Sequence, residues 1–365
     1  QMKIEEIDRN FQVRNTASLT DAVYYDMHQA PMQRYGLMPD DAPGWCVRME
    51  PEIAAQVNPG VAELNGNTAG GRLRFSTDSD YVAIRCVMHG RCIMPHMPAL
   101  GSVGFDLYED TPNGSVFLGS YQPAVKVPDS DVDFDAVVTL PTRRMRALTL
   151  NFPLYNGVAA LQIGLRAGAR LEAGAPYRPI SPVIYYGSSI TQGGCASRPG
   201  TCYQAFISRR FNCDYRNLGF SGSARGEQVM ADYLARQKCS VMVLDYDHNA
   251  PSVAHLAQTH EPLYRTIRAA QPDLPIVLVS RPGEYDRLEA MEKEEVIARR
   301  DVVYQTFLHA LADGDRKIVF VDGESLFAGL PRGECTVDGC HPNDLGFYGM
   351  ANAIGEAIAR FLPVK

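Results

Sequence analysis

A polar loop near the carboxyl end of the chain holds an aspartate three residues before a histidine, in the run Asp338-Gly-Cys-His-Pro-Asn-Asp344. At this spacing the Asp338 carboxylate can accept a hydrogen bond from Nδ1 of His341, which leaves Nε2 pointing outward as a general base. Pro342 follows the histidine and restricts the backbone of the loop. The pair predicts a proton relay for a nucleophile elsewhere in the chain.

A serine at the end of a predicted strand is the candidate nucleophile. Residues 183–186 are rich in β-formers, and this run stops at Gly187-Ser188-Ser189, where the glycine permits a tight turn. Ligands of open α/β sheets bind outside the carboxyl ends of the strands, so Ser189 on this turn would face a substrate. An ordinary loop between a strand and a helix is the alternative interpretation of the same residues.

Two further strand ends offer hydrogen-bond donors for the oxyanion that attack by Ser189 would create, beside the N–H of Ser189 itself. Gly222 follows the second strand and would supply a backbone N–H, and Asn249 follows the third strand and would supply its side-chain amide. Taken alone, each has a simpler interpretation, as a turn glycine and as a turn or capping asparagine. His248 and Arg281, near the carboxyl ends of strands, are candidate substrate contacts or merely exposed polar residues.

A metal centre is the alternative chemistry for the same loop. Cys335, Cys340 and His341 are close in sequence, and thiolate and imidazole are ligands that zinc prefers. No fourth ligand stands at a workable spacing, and the nine cysteines contain no CxxC pair. We therefore expect no metal and no organic cofactor, because a serine relay requires neither.

The second half of the chain alternates strand-like runs with helical stretches, which predicts parallel strands joined by right-handed crossovers. The runs lie at 183–186, 215–218, 241–247, 275–280 and 317–322, and the helical stretches at about 203–212, 227–237, 256–271, 290–312 and 344–362. Five such units form a three-layer sandwich. This fold would gather the candidate residues at one edge of the sheet.

The first half of the chain has a period of two, as half-buried strands do. Apolar residues from Val132 to Leu140 alternate with polar or smaller ones, and Leu148, Leu150 and Phe152 alternate with Thr149 and Asn151. We expect an antiparallel β-sandwich here. The Gly- and Pro-rich stretch 167–182 breaks both periods and predicts a linker, so the predicted domains are residues 1–175 and 176–365.

Composition excludes several classes of function. The chain of 365 residues is 45% hydrophobic and 21% charged, with no apolar run long enough to span a bilayer. Its formal net charge is −7 and its Lys and Arg residues are scattered, so no basic stripe for nucleic acid is present. Residues 1–3 lack an apolar signal region, which fits a cytosolic protein or a periplasmic or secreted one whose signal has been removed.

The cysteines leave the disulfide pattern and the oligomeric state open. Nine is an odd number, so at least one thiol is free or paired between chains. Cys195 and Cys202 flank a short Pro-Gly turn that a disulfide would close, although two reduced thiols are the favoured interpretation.

In this order, Ser189, Gly222, Asn249 and the Asp338/His341 pair resemble the four sequence blocks of the SGNH (GDSL-like) hydrolases. The first block has Ser188 where the family usually has aspartate, and the third reads Asp-His-Asn instead of Gly-x-Asn-Asp. The run Gly104-Phe-Asp-Leu-Tyr and the later Asn-Phe-Pro-Leu-Tyr-Asn-Gly resemble the amino-terminal GxDLY module of two-domain bacterial members. The resemblance covers nearly the whole chain and implies a β-sandwich ahead of a flavodoxin-like hydrolase domain.

The blocks and the resemblance together predict a serine esterase, in which Ser189 attacks, His341 transfers the proton and Asp338 orients the imidazole. Polar strand ends suit short acyl esters, most of all O-acetyl groups on a carbohydrate, better than long alkyl chains. The alternatives are a lipase or thioesterase of the same fold and a non-catalytic glycan-binding protein.

Overall fold

The computed structural model of the protein describes residues 4–8, 19–38, 46–90, 92–122, 132–283 and 290–362. Residues 1–3, on which the expectation about a signal region depends, lie outside the described residues. None of the helices in the described ranges combines the length and the apolar composition that crossing a membrane requires.

The first half of the chain forms two antiparallel sheets. Its strands are β1 (Ala22–Asp26), β2 (Gln33–Tyr35), β3 (Arg72–Thr77), β4 (Tyr81–His89), β5 (Phe105–Thr111), β6 (Gly114–Tyr121), β7 (Val132–Thr139), β8 (Arg146–Asn151), β9 (Gly157–Arg166) and β10 (Leu171–Ala173). The first sheet has the order β1-β9-β4-β7, and the second has the order β10-β3-β8-β5-β6 with β2 added beside β3. This arrangement confirms the predicted antiparallel β-sandwich.

The described residues of the first half also form the short helices α1 (Ile4–Ile7), α2 (Pro51–Val57), α3 (Pro59–Leu64) and α4 (Ala99–Val103). The buried residues of α2 and α3 belong to an apolar core of the second half and not to the core of the sandwich. The core between the sheets is built by alternate residues of the strands, for example Leu107, Leu150 and Ile163, each completely buried. Because side chains alternate across a strand, the residues between them point to the opposite face.

The second half forms one sheet of five parallel strands, β11 (Val183–Gly187), β12 (Tyr215–Gly219), β13 (Val241–Asp245), β14 (Ile276–Val279) and β15 (Ile318–Val321). Their order β12-β11-β13-β14-β15 is the flavodoxin-like order, in which β11 lies between the next two strands of the chain. The helices are α5 (Ser189–Gln192), α6 (Tyr203–Phe211), α7 (Gln228–Ala235), α8 (Val253–Ala270), α9 (Ala290–Ala312) and α10 (Asp344–Ala359). The predicted α/β/α fold is confirmed.

Two apolar cores cover the two faces of the parallel sheet, one with α6 and α10 and the other with α7, α8 and α9. The elements differ from the sequence predictions only in detail. The third strand ends at Asp245 instead of residue 247, because Asp247–Asn249 form a 3₁₀ turn. The four-residue helix α5 was not predicted, since a single turn carries no helical period.

The second sheet of the sandwich meets the second half of the chain partly through polar contacts. Arg72, on β3, pairs with Asp214 and lies 3.8 Å from the centroid of the Tyr215 ring. Arg48 donates to the carbonyl of Gly219 at 2.6 Å, so a buried guanidinium also links the two halves. The division at residues 175 and 176 stays a prediction.

Candidate active site

The candidate nucleophile lies on a sharp turn between β11 and α5. A Cβ atom on Gly187 would lie 2.1 Å from the carbonyl oxygen of Asp245, so only glycine fits there. Ser188 is the N-cap of α5, and its Oγ accepts a hydrogen bond from the N–H of Ile190 at 3.2 Å. Ser189 is the first residue of α5, so its own N–H has no acceptor within the helix. The two adjacent serines therefore differ in structure.

The three residues of the predicted relay lie within hydrogen-bond distance of one another, in the order Ser189, His341 and Asp338. Ser189 Oγ is 2.9 Å from His341 Nε2, and His341 Nδ1 is 2.7 Å from Asp338 Oδ2. The other carboxylate oxygen, Oδ1, accepts the backbone N–H groups of Cys340 at 2.9 Å and His341 at 2.7 Å. With the Nδ1 hydrogen donated to the carboxylate, Nε2 presents its lone pair to the serine hydroxyl, which is the arrangement that general-base activation of a serine needs.

The surroundings favour the charged forms of both Asp338 and His341. Burial alone would raise the pKa of Asp338, but hydrogen bonds from the backbone and ring of His341 and from Cys340 lower it to about 2. The hydrogen bond with the Cys340 sulfur is the largest influence on His341; together with the Asp338 carboxylate it raises the pKa of His341 to about 9, against the opposing effect of burial. Cys340 is therefore an unexpected neighbour of the relay histidine.

The two other predicted oxyanion donors lie on the loops that follow β12 and β13, the strands on either side of β11. Gly222 has φ 65°, and a Cβ atom there would meet nothing within 4 Å, so this backbone borders open space. Asn249 donates one amide hydrogen to the carbonyl of Phe220 at 3.0 Å. That bond ties the two loops together and leaves the second amide hydrogen for another acceptor. Their roles stay predictions.

The two predicted substrate contacts have protein partners. His248 Nε2 lies 3.2 Å from Cys340 Sγ, so the imidazole packs on the loop that carries His341. Burial and, to a smaller extent, the charge of Arg281 lower the pKa of His248 to about 3, which keeps the ring neutral. The Arg281 guanidinium lies 3.6 Å from Glu292, and its backbone N–H donates to Asp247 at 3.1 Å. Their binding of substrate stays a prediction.

The zinc ligand set considered from the sequence, Cys335, Cys340 and His341, does not come together in the structure. Cys335 is buried, and its sulfur lies 3.6 Å from the carbonyl oxygen of Pro331. Among the described residues, the group of ligating side chains whose atoms converge is His96, Cys195 and His341, and not the set of Cys335, Cys340 and His341. Cys195 and Cys202 are not joined by a disulfide and are two buried reduced cysteines, as favoured above.

Sequence reasoning missed the contributions of the β-sandwich domain. Tyr155 donates its hydroxyl to the carbonyl of Ser189 at 3.1 Å, directly behind the candidate nucleophile. Asp106, in the GxDLY motif, accepts from the N–H of Gly200 at 2.8 Å and pairs with Arg198 at 3.1 Å. Both residues stand in sequence runs that carried the resemblance, and the period of two puts Asp106 on the face opposite the sandwich core.

Residues 180–359 match the GDSL-like lipase/acylhydrolase family and form a domain of that family. Residues 22–171 match the GxDLY family, described as the N-terminus of SGNH hydrolase-type esterases. The protein is accordingly a carboxylic ester hydrolase with an amino-terminal GxDLY domain. Comparison with curated proteins gives no match.

Solved structures share the two-domain fold. A protein described as a GDSL-like lipase from Bacteroides ovatus is 25% identical with a TM-score of 0.85, over 94% of this chain and 99% of that one. The salicylyl-acyltransferase SsfX3 of a tetracycline biosynthetic pathway is 22% identical with a TM-score of 0.73, over 94% and 99%. The acetyl xylan esterase Est2A from the rumen bacterium Butyrivibrio proteoclasticus is 10% identical with a TM-score of 0.56, over 93% and 98%.

Proposed function

We propose that the protein is a serine esterase that removes short acyl groups, O-acetyl above all, from a carbohydrate. The observation that carries the catalytic part is the relay itself, with 2.9 Å between Ser189 Oγ and His341 Nε2 and 2.7 Å between His341 Nδ1 and Asp338. Ser189 Oγ attacks the carbonyl carbon while Nε2 takes its proton, and Asp338 stabilises the imidazolium that forms.

The reaction passes through an acyl-enzyme. The imidazolium of His341 returns its proton to the sugar oxygen, the ester bond breaks and the alcohol leaves with the acyl group on Ser189. Water then attacks the acyl carbon with His341 as base again, which releases the carboxylic acid and restores the hydroxyl. In both steps the oxyanion would be held by the N–H groups of Ser189 and Gly222 and by the free amide hydrogen of Asn249.

The polarity of the groups around the candidate nucleophile supports this substrate class. His248, Asn249 and Cys340 are partly exposed beside the relay, and His96 of the sandwich domain is exposed near His341. A long alkyl chain would strip water from these groups without replacing its hydrogen bonds, at a cost of about 1–3 kcal/mol for each unpaired group. A hydroxyl-rich sugar would replace them. The fold shared with an acetyl xylan esterase supports the same class.

The experiment is a chain-length series of p-nitrophenyl esters, combined with acetate release from an acetylated saccharide. We expect kcat/KM on the acetate to exceed that on the octanoate at least about tenfold, or roughly 1.4 kcal/mol of transition-state stabilisation. Acetate release should disappear in Ser189→Ala.

Three results would contradict this proposal. A flat or rising chain-length profile with no acetate release from any acetylated glycan would favour a lipase or thioesterase. Binding of glycan without turnover of any ester would favour a non-catalytic glycan-binding protein. Preferential transfer of the acetyl group to an added alcohol would favour an acyltransferase.

A further inference from the structure

A histidine of the β-sandwich domain lies beside the relay histidine of the other domain. The ring centroids of His96 and His341 are 5.8 Å apart, with an angle of 54° between the ring planes. Cys195, on the loop after the candidate nucleophile, completes the cluster. One ligand atom from each of these three side chains lies within 4.8 Å of the other two. Two imidazoles and a thiol thus converge from both domains.

The backbone and its surroundings fix Cys195, whereas the His96 ring can adjust. Cys195 is buried and has φ 76°, a left-handed conformation that a residue other than glycine rarely adopts. Such a conformation persists only where the surroundings impose it, and it is often found at functional positions. Helix α4 packs tightly here, since a Cβ atom on Gly101 would lie 2.1 Å from the carbonyl oxygen of Ala196. His96 is exposed, so its ring can adjust to a ligand.

We infer that His96, Cys195 and His341 form a binding site for a borderline divalent cation, best matched by Zn²⁺, and that the bound cation blocks the esterase. Two imidazole nitrogens, one thiolate and a water make a four-coordinate set that zinc accepts, whereas Mg²⁺ and Ca²⁺ require oxygen ligands. Ligand bonds of about 2.0–2.3 Å require the three ligand atoms, which lie within 4.8 Å of one another, to move closer together, and the exposed His96 ring has room to do so. Asp338 would orient His341 as carboxylates orient zinc-bound histidines.

The bound cation would block the esterase because His341 has one nitrogen lone pair available. Its Nδ1 hydrogen is donated to Asp338, so Nε2 carries the one lone pair that the ring can offer. That pair either takes the proton of Ser189 or binds the cation. Binding forms two metal–nitrogen bonds and one metal–sulfur bond, and it releases to solvent the thiol proton of Cys195 and, below the pKa of His341, the Nε2 proton of that ring. The blocking part rests on the proposed function, whereas the binding part does not.

The binding part is tested with Co²⁺ and the Ser189→Ala protein, which keeps all three ligands and has no activity to interpret. We expect a near-ultraviolet thiolate-to-cobalt absorption that zinc displaces. Adding Cys195→Ser should abolish this absorption, while Cys239→Ser, a change at a distant partly buried cysteine, should preserve it. An absent absorption in Ser189→Ala, or one that survives Cys195→Ser, overturns the proposal even if the protein proves to be an excellent esterase.

The blocking part is tested by zinc inhibition of the active protein, with each variant compared with its own activity in EDTA. We expect His96→Ala and Cys195→Ser to raise the half-inhibitory zinc concentration at least about tenfold, because each removes one ligand. His28→Ala, a change at an exposed histidine elsewhere in the sandwich, should leave it unchanged. Equal zinc sensitivity in all variants, or activation by zinc, would overturn the proposal. If no ester is turned over, the proposed function fails while the cobalt result still decides the site.

Discussion

The two domains contribute to the same site in different ways. The hydrolase domain supplies the proposed reacting atoms, which lie on loops that leave the carboxyl ends of parallel strands. The β-sandwich domain supplies contacts behind those loops, such as the Tyr155 hydroxyl on the carbonyl of Ser189 and the Asp106 carboxylate on the N–H of Gly200. The hydrolase domain thus holds the side chains proposed for catalysis, and the β-sandwich domain holds the loops that carry them in position.

A continuous series of hydrogen bonds joins the GxDLY motif to the loop that carries Asp338 and His341. Asp106 holds the segment of Arg198 and Gly200. The same segment is held from the other side by Asp344, which accepts the N–H of Ser197 at 2.8 Å and the hydroxyl of Thr201 at 2.8 Å. Asp344 is three residues from His341, so the motif of one domain and the base of the other share one short loop.

The largest effect is expected from the nucleophile. Ser189→Ala should lower kcat/KM on p-nitrophenyl acetate at least about 10⁴-fold, because no other group forms the acyl-enzyme. The matched change Ser188→Ala should keep most of the activity and lose only a helix cap, about 0.5–2 kcal/mol of unfolding free energy. Equal inactivation by both changes, or inactivation by Ser188→Ala alone, would reverse the assignment.

The next largest effect is expected at the candidate oxyanion donor. Asn249→Ala should lower kcat about 10²–10³-fold with little change in KM, because the lost hydrogen bond is made mainly in the transition state. Steady-state kinetics on the acetate ester measures both constants. A change in kcat of less than about threefold would mean that Asn249 only connects the two loops through its hydrogen bond to Phe220 and does not stabilise the oxyanion.

The contribution of the sandwich domain is tested at its buried carboxylate. Asp106→Asn should lower kcat/KM about tenfold and the unfolding free energy by about 3 kcal/mol, because the partner charge of Arg198 loses its counter-ion in a largely buried place. The control is Asp80→Asn, which breaks an Asp–Arg pair within the sandwich that is partly exposed. Equal losses of activity in the two variants would show that the interface position has no special effect on the site.

A smaller effect is expected behind the nucleophile. Tyr155→Phe removes the hydroxyl that the carbonyl of Ser189 accepts, worth about 0.5–1.5 kcal/mol, so kcat should fall a few-fold while KM stays unchanged. Tyr81→Phe removes a hydroxyl bonded to Asp21 at 3.0 Å in the same domain, far from the site, and serves as the control. A change in KM alone would mean that Tyr155 acts on substrate binding and not on the position of Ser189.

The smallest change is a shift along the pH axis. Only neutral His341 accepts the serine proton, and this ring loses its own proton as pH rises through its raised pKa, so kcat/KM should increase with pH to a midpoint near pH 9. Cys340→Ala removes the largest influence that raises the pKa of His341, and the midpoint should move to lower pH with a similar plateau. An unmoved or higher midpoint would contradict the coupling between the two side chains.

The parts predictable from sequence are those that local pattern determines. Apolar runs located the five parallel strands, and a sheet of parallel strands brings Ser189, Gly222, Asn249 and His341 to one edge. The capping role of Ser188 was also within reach, since a serine before a helical turn is a frequent N-cap. The orientation of Asp106 follows from the period of two within the motif.

Contacts made through space were beyond reach of the sequence. Nothing in the sequence around His96 indicates that its ring lies 5.8 Å from that of His341, because the two residues are brought together only when the domains dock. The proximity of Cys340 and His248 has the same origin, since their loops follow different strands. The periodicity of a segment does not indicate which distant residues its side chains will contact.

The junction between the second sheet of the sandwich and the second half of the chain also bears on how the two halves would behave apart. Arg72, Arg198 and Asp106 lie in this junction, but the two cores of the parallel sheet also bury apolar residues of the first half, such as Leu154 on one face and Val61 on the other, so parting the domains would expose apolar surface as well as charges. Interfaces that bury apolar surface resemble those of partners that remain associated. Each half, expressed alone, should therefore be less soluble than the whole chain, and the recovery of esterase activity on mixing the two halves would report whether they can still associate.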